Sequence, residues 1–250
     1  MNRITEKFNE LKRKNKTAFI GYVTAGDPSI QKTAEMVLAM ERGSADIIEI
    51  GIPYSDPLAD GPVIQNAGLR AFENGFKVAQ AFECAAMIRK QSDIPLIFMV
   101  YYNTIYNIGN KKFAERCKSA GIDGIIVPDL PLEERDELKV FTDESDICLI
   151  PLVAPTSIDR IEDIAKGTTG FLYCVSTMGV TGMRDRYEND VVSYLQAVKA
   201  KSTLPIAVGF GISSRDKVDY FSNYVDGVIV GSAIVNKMQE TNADPEKMAA

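Results

Sequence analysis

A carboxylate inside a run of isoleucines is the first feature of this sequence that could do chemistry. Residues 47–61 read IIEIGIPYSDPLADG, so Glu49 stands in a segment that otherwise reads as a buried strand. An acid held there is desolvated, which raises its pKa and suits it to proton transfer near neutral pH. The competing structural reading is a glutamate bonded to buried backbone or paired with a lysine, and no basic residue stands close by in the sequence. Asp60 closes the loop that follows. Taken alone, its Asp-Gly pair is an ordinary turn. Pro53, Pro57 and Pro62 restrict the backbone around it, which lowers the entropy lost on ordering and shifts the balance from a plain turn toward a positioned active-site acid. Asp56, in the same loop, competes for that role or serves as a cap.

Three glycine-rich stretches form a second candidate group: MGVTG (178–182), GFGIS (209–213) and GSAI (231–234). Glycine lets backbone N–H groups come close to a phosphate, and a helix starting just beyond adds a favourable dipole. Short strand-to-helix loops also need glycine for purely structural reasons. Tyr22, Tyr101, Tyr173 and Phe210 lie toward the C-terminal ends of apolar runs. Several aromatic rings converging at one mouth suit a flat apolar part of a substrate.

These residues need a scaffold. Eight apolar runs recur along the chain, at 18–23, 46–52, 95–102, 124–129, 147–153, 170–176, 205–211 and 227–232. Most are nearly continuous in hydrophobicity, as strands covered on both faces are. Between them lie stretches with helical spacing, such as Met36, Val37 and Met40, or Val191, Tyr194, Leu195 and Val198. Strand alternating with helix implies parallel βαβ units, and eight such units imply one closed (β/α)8 barrel domain spanning residues 1–250. Alternation along the second strand puts Ile48, Ile50 and Ile52 on one face and Ile47, Glu49 and Gly51 on the other. With the isoleucines under the helices, Glu49 points into the barrel near its C-terminal mouth, where barrel enzymes hold their catalytic groups. Ile4, Phe8 and Leu11 are spaced for an extra amphipathic N-terminal helix, expected to cap the barrel bottom rather than bind a partner. The final ADPEKMAA starts like a helix and stops early, so a longer native C-terminus is expected.

Composition narrows the chemistry. The chain has 250 residues, no histidine and four cysteines spread along it (Cys84, Cys117, Cys148 and Cys174) with no CxxC pair. That removes histidine-based triads and most soft-metal sites, so no metal is expected. Free buried thiols in a reducing cytoplasm are the reading for the cysteines. A net charge of -6 without basic-aromatic clusters argues against a nucleic-acid partner, and the absence of long apolar segments argues against a membrane span.

Taken together, GYVTAGDPS, IEIGIPYSDPLADGPVIQ, GIIVPDLPLEE, APTS, STMGVTG, GFGIS and VGSAIV closely resemble the tryptophan synthase alpha subunit family over residues 17–237. The long second motif is the specific one, because neighbouring phosphate-binding barrels lack it. The resemblance implies metal-free retro-aldol cleavage of indole-3-glycerol phosphate to indole and glyceraldehyde 3-phosphate. By motif, Glu49 would be the acid/base at indole C3 and the glycerol hydroxyl. Asp60 would accept the indole N–H proton or stabilise its developing positive charge, and Tyr173 would hydrogen-bond Asp60 and pack beside the substrate. Gly182, Gly211, Gly231 and Ser232 would hold the phosphate, and Thr181 would close a loop over the site. Tyr22, Val100, Tyr101, Val127, Val153, Val175 and Phe210 would line the indole pocket.

The same resemblance implies no cofactor in this chain and a partner beta subunit carrying pyridoxal phosphate, in an alpha2-beta2 tetramer that passes indole through a tunnel. Some relatives carry an arginine in the strand 6 loop where this chain has Thr177 and Met178. Two other functions compete. A non-catalytic, phosphate-sensing activator would need the glycine turns but not the two acids. A sugar-phosphate isomerase or epimerase would need a lysine, cysteine or metal-bound histidine at the strand ends.

Overall fold

Parallel strands alternate with helices through the computed structural model, which describes residues 1–175, 184–209, 211–212 and 214–249, the side chains of 184–189 excepted. The strands are β1 (Ala18–Thr24), β2 (Ile47–Gly51), β3 (Leu96–Met99), β4 (Gly124–Ile126), β5 (Cys148–Ile150), β6 (Leu152–Val153), β7 (Leu172–Val175), β8 (Ile206–Gly209) and β9 (Gly227–Val230). They lie in the order β5-β4-β3-β2-β1-β9-β8-β7-β6. The two ends of that order are consecutive in the chain, so the ring closes through the backbone itself. This is a (β/α)8 barrel in which one of the eight expected strands is broken.

The break falls at Pro151. Proline has no N–H to donate to a ladder, and here the segment 148–153 changes partner, from β4 on one side of Pro151 to β7 on the other. The Pro151 carbonyl still accepts from the Tyr173 N–H at 3.0 Å.

Two shells of apolar side chains follow from strand alternation. Ile48, Ile50 and Ile52 pack outward with Met36, Met40 and Ile88 of the surrounding helices. Ile20, Ile47, Ile97, Ile126, Ile150 and Ile229 fill the interior. The helix Arg3–Arg13 closes the end of the barrel where the strands begin, inserting Ile4, Phe8 and Leu11 into the inner shell with the Phe8 ring 5.3 Å from that of Phe171. Asn2 caps this helix through its side-chain oxygen, and its amide nitrogen donates to the carbonyls of Asp123 (2.8 Å) and Asp146 (2.7 Å). Its apolar face is therefore spent on the barrel. No helix among the described residues is long and apolar enough to cross a membrane.

Candidate active site

Strand β2 delivers Glu49 to the interior. It sits in register between Tyr22 of β1 and Ile97 of β3, only 1% exposed, and one of its carboxyl oxygens, Oε2, has no hydrogen-bond partner among the described residues. Burial, with the charge of Asp60 nearby, pushes its pKa up to about 8, so the side chain is a neutral acid at pH 7. A desolvated, unpartnered carboxyl next to open space is poised to exchange a proton with something that enters.

That space is a cavity of about 190 Å³ at the C-terminal ends of the strands. Asp60 borders it from the loop after β2, while Asp56 is exposed and accepts a hydrogen bond from Ser55 at 3.1 Å, which removes it as a competitor. Backbone turns Leu58 N–H to Asp56 O (2.9 Å) and Asp60 N–H to Pro57 O (3.1 Å) shape the loop. The helix Pro62–Glu73 starts immediately beyond, with proline in its first turn, where a missing N–H is harmless. Arg70 of that helix grips the buried carboxylate of Asp27 through two bonds, at 3.0 and 2.6 Å, tying the Asp60 segment to the loop after β1. Burial pushes Asp60 up to about 6, and hydrogen bonding from the Tyr101 hydroxyl works in the opposite direction. Asp60 is thus mostly ionised at the pH where Glu49 is mostly protonated. Two carboxyl groups pushed apart in this way can serve as acid and charge stabiliser respectively.

Two tyrosines cross the cavity floor, each lying over a glycine of the neighbouring strand. A Cβ at Gly51 would run into the Tyr22 hydroxyl, and one at Gly209 into the Tyr173 ring. Both phenols are buried and their pKa values raised, chiefly by desolvation; next come the charge of Asp60 for Tyr22 and that of Glu49 for Tyr173.

Across the mouth, Gly211, Gly231 and Ser232 border the same cavity. Gly211 has φ +64, a left-handed conformation in which side chains are strained. Gly231 precedes the helix Ser232–Glu240, and its carbonyl accepts from Ile234 (2.9 Å) and Val235 (3.1 Å). The earlier N–H groups of that first turn have no partner within the helix, an arrangement suited to an anion.

The structure thus gathers Tyr22, Glu49, Asp60, Tyr173, Val175, Gly211, Gly231 and Ser232 around one cavity. Thr181, Gly182 and Phe210 lie outside the described residues, as do Thr177 and Met178. Three expected wall residues face the wrong way. Val100, Val127 and Val153 belong to the outer shell, and the side chains that line the cavity are those one position earlier, Met99, Ile126 and Leu152. The parity of Glu49 carries the reason. Glu49 pairs with Ile97, Ile97 with Gly124 and Gly124 with Cys148, so inward positions continue to 99, 126 and 152. Carrying that parity from strand to strand would have found them.

Tyr101 is displaced from its expected place as well: its hydroxyl accepts from the Ala59 N–H at 2.9 Å and its ring stacks on Tyr54 at 4.9 Å, behind the Asp60 loop. The phenol that hydrogen bonding couples to Asp60 is this one, whereas Tyr173 feels Asp60 as a charge. Ile64, Ile212 and Ile229 also line the cavity; the same parity carried through Ile20 would have found Ile229, while no sequence signal singled out Ile64.

Residues 8–250 match the family model described as tryptophan synthase alpha chain. The chain belongs to that family. The tryptophan synthase alpha chain of Alkaliphilus metalliredigens is 48% identical over 239 residues, covering 96% of this chain and 90% of that relative. That of Clostridium kluyveri is 48% identical, covering 98% and 94%. Among solved structures, the alpha subunit from Legionella pneumophila superposes with a TM-score of 0.91 at 34% identity, covering 100% of this chain and 94% of the other. A chain from a study of mutual activation in the Pyrococcus furiosus a2b2 complex gives 0.85 at 39% identity, covering 92% and 93%. As a tryptophan synthase alpha chain, the protein is a lyase that cleaves indole-3-glycerol phosphate in tryptophan biosynthesis.

Proposed function

We propose that Glu49 and Asp60 carry this cleavage as an acid and a charge stabiliser within one barrel domain. Neutral Glu49 gives its proton to C3 of the indole ring, leaving positive charge on the ring nitrogen. The Asp60 carboxylate accepts the N–H hydrogen bond and stabilises that charge. Glu49, now a carboxylate, takes the proton of the glycerol hydroxyl. The bond from C3 to the glycerol carbon breaks, its electron pair returns to the ring, and indole and the aldehyde separate with Glu49 protonated again. Tyr173 packs beside the substrate. Gly211, Gly231 and Ser232 hold the phosphate through backbone N–H groups.

The observation that carries this reading is the Glu49 carboxyl, buried to 1% exposure with one oxygen unpartnered, at the wall of the cavity that Asp60 also borders. The test is indole release from indole-3-glycerol phosphate by Glu49→Gln. Loss of turnover in a folded protein is expected, and near-normal turnover would end the proposal.

We also read the chain as one half of an alpha2-beta2 assembly in the cytoplasm, in which a beta subunit would hold pyridoxal phosphate and consume the indole. The similar Pyrococcus furiosus structure comes from such an a2b2 complex. Leu58, 94% exposed on the proline loop, and Tyr106, 71% exposed on the helix Tyr102–Ile108, offer apolar surface for that contact.

A further inference from the structure

Tyr22 contributes more to the site than an apolar wall requires. Its ring packs with Val63, Ile64 and Ala67, in the first turns of the helix that begins just past Asp60 and Gly61. Its hydroxyl lies over Gly51, where a Cβ would collide with it. Its hydrogen bond with the Thr24 hydroxyl is long, at 3.4 Å, so the phenolic proton is held only weakly there and a carboxylate would win it. A buried O–H without an acceptor is costly, and a phenylalanine would supply the same ring without that cost.

Among the described residues, the charged and titratable groups facing this hydroxyl are Asp60 after β2, Glu49 on β2, Tyr101 after β3 and Tyr173 on β7. The charge of Asp60 acts on Tyr22 more than that of Glu49 does. Glu49, pushed up to about 8, is neutral at pH 7, so Asp60 is the one of the two that offers a carboxylate.

We propose that Tyr22 is a positioning residue for Asp60: its phenolic O–H, held over Gly51, donates to the Asp60 carboxylate when indole-3-glycerol phosphate is bound. Asp60 then sits between two phenols. Tyr101, which also takes the Ala59 N–H, holds the loop side, and Tyr22 holds the floor side. A second donor favours the ionised carboxylate and fixes which oxygen faces the indole nitrogen. This inference rests on the reading of Asp60 as the charge stabiliser.

The experiment is Tyr22→Phe, which keeps the ring over Gly51, measured with Asp60→Asn and the double variant. The groups able to perturb the Asp60 titration are Tyr22, Glu49, Tyr101 and Tyr173, with Asp129 acting on Tyr101, among the described residues. In Tyr22→Phe the acid limb of the kcat profile is expected to move up by about one pH unit, a tenfold weaker hold on the carboxylate. KM for indole-3-glycerol phosphate should stay within about twofold of wild type, because the ring and the phosphate cradle are untouched. In the Asp60→Asn background the same substitution should cost nothing further.

An unmoved acid limb, a change confined to KM, or an undiminished cost in the Asp60→Asn background would overturn the inference. Full activity of Asp60→Asn by itself would instead overturn the reading of Asp60, and is distinguishable for that reason. Should Tyr22→Phe fold poorly, Thr24→Val in the folded protein takes its place. It removes the bond that makes the Tyr22 phenol a better donor, so a smaller upward shift of the acid limb is expected, and an unchanged or downward-shifted limb would overturn the inference.

Discussion

Two buried acids mark opposite ends of this barrel, and they are treated in opposite ways. At the closed end Asp123 is 4% exposed and fully engaged. Its Oδ1 accepts from Arg3 at 2.9 Å, and its Oδ2 accepts from Arg89 at 2.6 Å and from the Leu96 N–H at 2.9 Å. At the open end Glu49 is 1% exposed, has an unpartnered oxygen and faces another acid. A buried carboxylate held by two guanidiniums fixes two helices and a strand in place. A buried carboxyl without a cation stays protonated and keeps its proton available. Burial alone does not separate structure from function; the partners do.

The largest effect that would sharpen this contrast is on Glu49. Glu49→Gln should lower kcat for indole release by about 10³–10⁴-fold. The same variant should be more stable than wild type at pH 8. Because the folded-state pKa lies above the unfolded one, stability is fullest below pH 4.5 and falls as pH rises toward about 8. Glutamine has no charge to bury, so thermal unfolding of the two proteins should diverge with rising pH and converge near pH 5.

The closed end should give the inverse result. Asp123→Asn leaves Arg89 buried beside a weaker partner, and its pKa is already lowered by desolvation. Urea unfolding is expected to show a loss of about 3–5 kcal/mol with kcat per folded molecule nearly unchanged. A stable but inactive Asp123→Asn would break the comparison.

Smaller effects divide the open end. Asp60→Asn should cost about 10²-fold in kcat, because it removes charge stabilisation and leaves the proton donor in place. The wild-type kcat profile should be bell-shaped, falling below about pH 6 as Asp60 protonates and above about pH 8 as Glu49 ionises. A monotonic profile would show that the two groups do not act together. Smallest of all, Tyr101→Phe removes the acceptor for the Ala59 N–H and the bond toward Asp60, and should lower kcat roughly five-fold while moving the acid limb upward.

Much of the scaffold is legible in the chain because its signals are local. The outward isoleucines of β2 follow from alternation over five residues, and the N-terminal cap follows from the spacing of Ile4, Phe8 and Leu11. The wall of the cavity was less legible. Val100, Val127 and Val153 are as apolar as Met99, Ile126 and Leu152, so composition cannot choose between them; only the register with β2 can. The strand break was partly visible, since Pro151 stands in the run 147–153, but its consequence depends on which strands flank it.

By itself, then, the sequence determined the alternation that turns Glu49 inward, the repeat that makes a barrel, and the glycine turns at its mouth. Those features depend on neighbours within a few residues, where backbone geometry is fixed. Tertiary structure alone decided the rest. It left one oxygen of Glu49 without a partner, laid Tyr22 over Gly51 and moved Tyr101 from the pocket to the loop. It also joined Asp27 to Arg70 across 43 positions. Each of these depends on how distant strands and helices register against one another, and desolvation, which sets the chemistry of both acids, exists only once they do.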